Sequence, residues 1–343
     1  MKEFSYQRAY DVPNALALLD ADPDARFLGG GTNLVDLMKT GVERPSRLVD
    51  LRELPLDRVE SAPDGGLRIG ATVTNSDLAA HPDVRLHYPA LTQAVLAGAS
   101  GQLRNMATVG GNLLQRTRCG YFADVTQPCN KRSPGTGCPA RTGEHHNAAI
   151  LGASSHCVAV HPSDLAVALA AFDAAVTYES ADGPGELALE DFYLPVGDTP
   201  HLETALPPGA LITGVVLPPA PVAAASRYRK VRERASYAFA IGSVAAALDV
   251  REGVVRDVRL ALGAVASRPW RARTAEAALR GAPANADAFA AAATAELSAA
   301  TPLPHNGYKV DLIRNLIVAV LVDLAASSTS TTKSTASGEE SRR

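Results

Sequence analysis

The 343-residue chain contains four cysteines, and all of them fall within one stretch. They stand at Cys119, Cys129, Cys138 and Cys157, with 9, 8 and 18 residues between successive members. Thiolates are soft metal ligands, and in a chain without a secretory leader clustered cysteines read as ligands before disulfides. No C-x-x-C knuckle is present, which disfavours a zinc ribbon or finger. The C-x2-C-x2-C run of ferredoxins is also missing. Four thiolates from one loop still suit a cubane iron–sulfur cluster, because the spacing need only match the fold. Zinc is the alternative, with His145, His146 or His156 in place of a cysteine. A purely structural loop, its histidines solvated, is the plainest reading. Lys131, Arg132 and Arg141 would offset the negative charge of a thiolate-bound cluster, or form a solvated basic face.

A second chemistry is written in backbone rather than side chains. The stretch Arg26-Phe27-Leu28-Gly29-Gly30-Gly31-Thr32-Asn33-Leu34 predicts a strand running into three glycines and then a helix. Glycines let the chain turn tightly and let N–H groups approach a phosphate, while the helix N-terminus adds favourable partial charge. A plain tight turn would look the same. This is neither G-x-G-x-x-G nor a P-loop, since no Lys follows. A second glycine loop, Thr108-Val109-Gly110-Gly111-Asn112, lies about 80 residues on. Between them the loops offer backbone donors and the side chains of Thr32, Asn33, Thr108 and Asn112, a set that binds a pyrophosphate without a cation.

The elements that must position these loops are legible in outline. Residues 4–21 read as a strand and a helix capped by Asp11 with Pro13 in its first turn. Strands are predicted at Arg47–Leu51 and Leu67–Ile69, and helices after Thr74 and over Pro89–Ala97. Asp164–Phe172 reads as a helix, Ala174–Tyr178 and Leu211–Leu217 as strands. Pro218-Pro219-Ala220-Pro221 is the clearest linker signal. Beyond it Arg227–Glu233, Phe239–Val250 and Val254–Val265 read as strands, with Arg251-Glu252-Gly253 as a hairpin turn. Thr274–Leu279, Ala286–Ala299 and Tyr308–Ala326 read as helices. Residues 327–343 are polar and of low complexity, which predicts disorder.

The apolar fraction, 46%, is that of a globular protein, and a net charge of −3 gives no push toward nucleic acid or anionic membrane. The N-terminus lacks an apolar leader segment. The apolar run Leu316–Val322 is far short of the roughly 20 residues needed to span a bilayer. No nucleic acid partner and no membrane insertion are therefore expected, and the location is expected to be cytoplasmic.

The two glycine loops, in this order and at this separation, resemble the FAD-binding subunits of the molybdenum hydroxylases, the group of xanthine dehydrogenase, carbon monoxide dehydrogenase and aldehyde oxidoreductases. The resemblance implies an α+β fold: a two-part FAD-binding domain of the vanillyl-alcohol oxidase (PCMH) type over 1–220, with parts 1–57 and 58–220, then a small α+β C-terminal domain over 225–326. It assigns Phe27–Leu34 and Thr108–Asn112 to FAD. In most of the family Gly-Gly-Asn is followed within about ten residues by a segment whose Asp contacts the flavin nucleotide. Here the match is Ser163-Asp164-Leu165, some 50 residues on, so an insertion over 113–160 separates two FAD-binding pieces and must sit beside the cofactor. The family pattern also implies that Leu211 lies near the flavin ring, unless it is an ordinary core leucine. It implies that Lys230 reaches the flavin, where a cation at the N1/O2 edge would favour the anionic reduced ring.

The sequence around the cysteines is similar to one subgroup, the flavin subunits of heterotrimeric aldehyde oxidoreductases that carry a [4Fe–4S] cluster in this insertion. The implied function is electron transfer: from molybdenum and [2Fe–2S] centres in a large and a small partner subunit, through [4Fe–4S] and FAD, to an external acceptor. A partner with a twin-arginine signal could carry the complex to the periplasm. The alternatives are a stand-alone flavin reductase or oxidase of the same fold, and a zinc-stabilised nucleotide-binding scaffold without a redox role.

Overall fold

The computed structural model describes the backbone of residues 1–340 and the side chains of residues 1–327. The chain builds three sheets in succession. The first is parallel, order β1-β3-β2, from β1 (Ser5–Arg8), β2 (Ala25–Leu28) and β3 (Arg47–Asp50). Parallel strands need crossovers: the helix Val12–Asp20 joins β1 to β2, and the helix Leu34–Thr40 joins β2 to its neighbour β3. Asp11 caps the former by accepting the Asn14 N–H at 2.7 Å, with Pro13 in the first turn. Strand β2 ends at Leu28 and delivers the three glycines, with Gly31 in the left-handed region at φ +72°.

The second sheet is antiparallel, order β4-β5-β8-β6-β7, from β4 (Val59–Ser61), β5 (Leu67–Gly70), β6 (Ala175–Ser180), β7 (Gly183–Ala188) and β8 (Leu211–Leu217). Its apolar face is covered by the helices Pro89–Ala97 and Asp164–Ala171, whose Leu91, Ala94, Leu165 and Leu169 are buried with Ile69, Val176 and Val215. Strands β4 and β7 escaped the sequence reading. The first is a three-residue strand at the sheet's edge, and the second, GPGELA, carries the Gly and Pro that argue against strands but are tolerated at an edge.

The third sheet, order β12-β11-β10-β9, is antiparallel: β9 (Ser226–Val231), β10 (Gly242–Arg251), β11 (Val254–Gly263) and β12 (Trp270–Arg271). The β10–β11 hairpin turns at Glu252 and Gly253, with φ of 53° and 73°, the pair of positive angles that matches strand twist. Strand β10 is buried on both faces. Ala245 and Ala247 join the core under Pro89–Ala97 and Asp164–Ala171. Val244, Ala246 and Leu248 face the other way, into a layer with Phe289, Ile313 and Ile317 from the helices Ala286–Leu297 and Tyr308–Glu340. The run of small residues at 245–247 is thus a consequence of packing on two sides.

The proline cluster is packed: Val222 and Ala223 are buried in the main core, and the Pro218 carbonyl accepts the Tyr88 hydroxyl at 2.7 Å. The last helix runs from Tyr308 to Glu340 and so enters the tail for which disorder is expected; residues 341–343 lie outside the described residues. Among the described residues no helix is long and apolar enough to cross a membrane.

Candidate functional site

The two glycine loops pack backbone against backbone. A Cβ on Gly30 would stand 1.6 Å from the Met106 carbonyl oxygen, and one on Gly29 would meet Thr108 Oγ1 at 2.7 Å. No side chain fits there. Thr108 caps the short helix Val109–Leu113 by accepting the Gly111 N–H. Among the described residues the backbone N–H groups from Gly29 to Asn33 find no acceptor. They open on a groove with two arms that share Thr32, Asn33 and Gly111.

One arm, about 240 Å³, is chiefly apolar and is lined by Phe27, Leu51, Leu56, Leu211 and Ile212. The other, about 380 Å³, is lined by Asn75, Asn112, Arg118, Asp164, Lys230 and Phe239. Together they are the size of a cofactor cleft, roughly 300–1,000 Å³. Buried polar atoms face this groove without protein partners: Asn33 Nδ2, Thr72 Oγ1, Asn75 Oδ1 and Arg118 Nε. Such atoms cost stability unless something pairs with them. A long ligand with a phosphate centre and a hydrogen-bonding ring at one end answers all of them, so the residues present fit FAD.

The structure gathers the glycine-loop residues and Asp164 around the groove as expected, but it separates Leu211 from Lys230. Leu211 lines the apolar arm and Lys230 the polar one. Leu211 is buried in the core beneath the first sheet and reaches only the apolar arm. Lys230 is nearly buried and paired: its Nζ donates to Asp164 Oδ2 at 2.8 Å and to the Ala97 carbonyl at 3.2 Å. Asp164 Oδ1 accepts the Tyr228 hydroxyl, whose pKa is pushed well up by burial and then by that carboxylate. Lys230 therefore brings a neutralised pair to the cavity, where the sequence suggested a bare cation.

The insertion leaves and re-enters the fold at one point. Ser163 Oγ donates to Asn112 Oδ1 at 2.5 Å, tying the two FAD-assigned pieces together across 51 residues. Between them the chain is mostly irregular, with a helical turn at Gly120–Ala123 and a 3-10 turn at Pro139–Arg141. It is nevertheless clamped. Ile150 and Leu151 donate to the Val265 carbonyl, Asn306 Nδ2 to the carbonyls of Ala148 and Ala149, and Lys309 Nζ to those of Asn147, Ala148 and Ala264.

All four cysteines are free thiols that line one small cavity. Backbone N–H groups converge on their sulfurs: those of Tyr121 and Phe122 on Cys119, of Ala140, Arg141 and Val158 on Cys138, and of Ala159 on Cys157. A hydrogen bond with Cys157 draws the Cys138 thiol down, and the same bond together with burial pushes Cys157 up, so the two titrate as a pair. Phe122, Pro128 and Ala159 close the cavity. Four sulfurs in an apolar pocket with aimed N–H groups fit a thiolate-bound cluster.

The basic residues of the loop part company. Lys131 is buried at the cavity wall, 3.5 Å from Glu203. Arg132 donates to the carbonyls of Tyr121 and Phe122, and Arg141 to that of Ser154. His145 stacks on His305 and His146 on Tyr308, while His156 borders the cavity beside Ser155. The sequence reading missed Thr72, Asn75, Arg118, Tyr237 and Phe239. Asn75 opens the helix Asn75–Ala80 and the others stand in irregular segments, and only the folded chain brings them to the groove.

Comparison with known proteins agrees with this geometry. The family described as "FAD binding domain in molybdopterin dehydrogenase" matches residues 2–220, and "CO dehydrogenase flavoprotein C-terminal domain" matches residues 226–324. The aldehyde oxidoreductase FAD-binding subunit PaoB of Escherichia coli (strain K12) is 49% identical over 328 residues, 95% of this chain and 99% of that protein. The glyceraldehyde dehydrogenase medium chain of Sulfolobus acidocaldarius is 27% identical over 80% of each chain. Among solved structures, carbon monoxide dehydrogenase from Hydrogenophaga pseudoflava has a chain that matches with a TM-score of 0.73 at 24% identity, over 94% of this chain and 98% of that one. That likeness is one of fold.

Proposed function

The chain belongs to the FAD-binding medium subunits of the molybdenum hydroxylases, and from that premise we propose that it relays electrons in an aldehyde-oxidising complex through FAD and a [4Fe–4S] cluster of its own. FAD would supply the exchange between two-electron and one-electron transfer that such a relay needs. Its pyrophosphate is assigned to the N–H groups of Gly29–Asn33 and the loop Thr108–Asn112. Its adenine is assigned to the apolar arm at Leu211, and its ring, which has many hydrogen-bonding atoms, to the polar arm at Asn75, Asp164 and Lys230. The chain's part is to bind, orient and insulate. Domain limits of 1–220 and 225–326 belong to the same proposal.

Cys119, Cys129, Cys138 and Cys157 are the proposed cluster ligands, one to each iron. The observation that carries the reading is contiguity: Arg118 lines the polar arm of the groove, and the next residue, Cys119, lines the thiol cavity. The proposed partners are a large molybdenum-cofactor subunit and a small [2Fe–2S] subunit, in keeping with the medium-subunit role.

Iron and acid-labile sulfide, measured per FAD on anaerobically purified protein with EPR of the reduced sample, test this. About four irons per FAD are expected, lost in Cys129→Ser while FAD stays. FAD with one zinc and no iron would overturn the cluster. Purification from the native cell should recover both partners, and a lone chain would overturn the relay.

A further inference from the structure

Three cations line the polar arm of the groove: Lys230, Arg234 and Arg118. Lys230 is neutralised by Asp164 at 2.8 Å. Arg234 is exposed and donates to the Tyr237 carbonyl, so solvent screens it. Arg118 differs from both. Among the described residues it makes no ion pair and no hydrogen bond, and its Nε is buried without a partner. Its guanidinium lies over the Phe239 ring, 4.8 Å from the centroid, in a contact that orients the group without cancelling its charge. Asp36, the acid that acts on it, is exposed and outside ion-pair distance. Arg118 also comes from the insertion, one residue before Cys119.

We infer that Arg118 is the residue that sets the reduction potential of the flavin, through an unpaired positive charge held against the ring by Phe239. This rests on the reading that the FAD ring occupies the polar arm. Uptake of two electrons and one proton by FAD leaves one negative charge on the ring. A nearby cation with no counter-ion stabilises that charge, and burial strengthens the effect. Lys230, carrying its own carboxylate, contributes far less at similar range. The insertion would thus do two things at once: present the four sulfurs and place the tuning charge.

The test is the midpoint potential of the bound flavin, titrated with dithionite in the intact complex. Iron and FAD content are measured on the same samples. Arg118→Gln is expected to lower the reduced-to-oxidised ratio at fixed potential at least tenfold, about 30 mV for a two-electron couple. Arg118→Lys, which keeps the charge, should stay within that bound. Phe239→Leu, which removes the stacking ring but not the charge, should move the potential less than Arg118→Gln does. An unchanged potential in Arg118→Gln with FAD and iron retained would overturn the inference. If the glutamine variant fails to hold FAD, Arg118→Lys decides: a drop beyond tenfold overturns the inference, and a smaller one supports it. A wild-type complex without FAD would instead overturn the proposed function.

Discussion

Gly30 shows how little freedom the cofactor groove allows at single positions. The Met106 carbonyl oxygen occupies the place of any Cβ, and a backbone atom cannot rotate away as a side-chain tip can. Gly30→Ala is therefore expected to destabilise by about 3 kcal/mol or more and to abolish FAD binding, because the loops must part. Gly101, which would meet nothing within 4 Å, is the control. There the same substitution in a first helical turn should be neutral or stabilising by up to roughly 1 kcal/mol. Thermal unfolding and FAD stoichiometry of the two variants check this, and a Gly30→Ala protein that keeps FAD would refute it. At this scale the sequence was informative where a motif is contiguous. The glycines and cysteines announce themselves by type. Lys230 did not announce that Asp164, 66 residues away, would neutralise it, nor Arg118 that it would stand unpaired.

Elements were more legible than their partnerships. The capped helix after Asp11, the helix Pro89–Ala97, the strand Leu211–Leu217 and the 251–253 turn all follow from local signals. Short edge strands carry no such signal, and β4 and β7 were invisible. Also hidden was the contact between the insertion and the last helix, which depends on Lys309. This lysine is fully buried, donates to three carbonyls of two distant segments, and has its pKa drawn down to about 7 by burial. Lys309→Met would leave those carbonyls unsatisfied and is expected to cost about 3 kcal/mol near neutral pH. The sign of the pH effect follows from linkage. Folded Lys309 gives up its proton near 7, whereas the unfolded chain keeps it to about 10.5. Between those values the unfolded state binds more protons, so stability rises with pH; below 7 the group adds no slope. Urea unfolding at pH 6 and pH 9 should show the wild type gaining on Lys309→Met at the higher pH. A constant difference would mean that the lysine is charged in the fold throughout.

At the scale of the molecule, the proline cluster marks a linker in the sequence, and the packing on its two sides is continuous. Ala245, Ala247 and Ala261 of the third sheet share one core with Leu91 and Leu169 of the flavin-binding half. The insertion joins the opposite core layer through Ile150 and Leu151. A core that crosses the proposed domain limit has no low-energy surface on which to divide, unlike the small polar interfaces that allow domains to move. The chain should therefore unfold as one cooperative unit. Trp270, the single tryptophan, is placed to report on this. Its indole N–H donates to Glu296 in the C-terminal layer at 2.8 Å, and its ring lies against Gly152 of the insertion. FAD fluorescence, which rises on release, reports on the groove. The two signals are expected to change at the same temperature, and a calorimetric scan should show a single transition whose van't Hoff and calorimetric enthalpies agree. Release of FAD well below the Trp270 transition would mean that the glycine-loop half opens first and that the shared core does not couple the two. Coincident transitions would instead make the flavin groove, the thiol cavity and the C-terminal layer parts of one folding unit, with the insertion as the piece that touches all three.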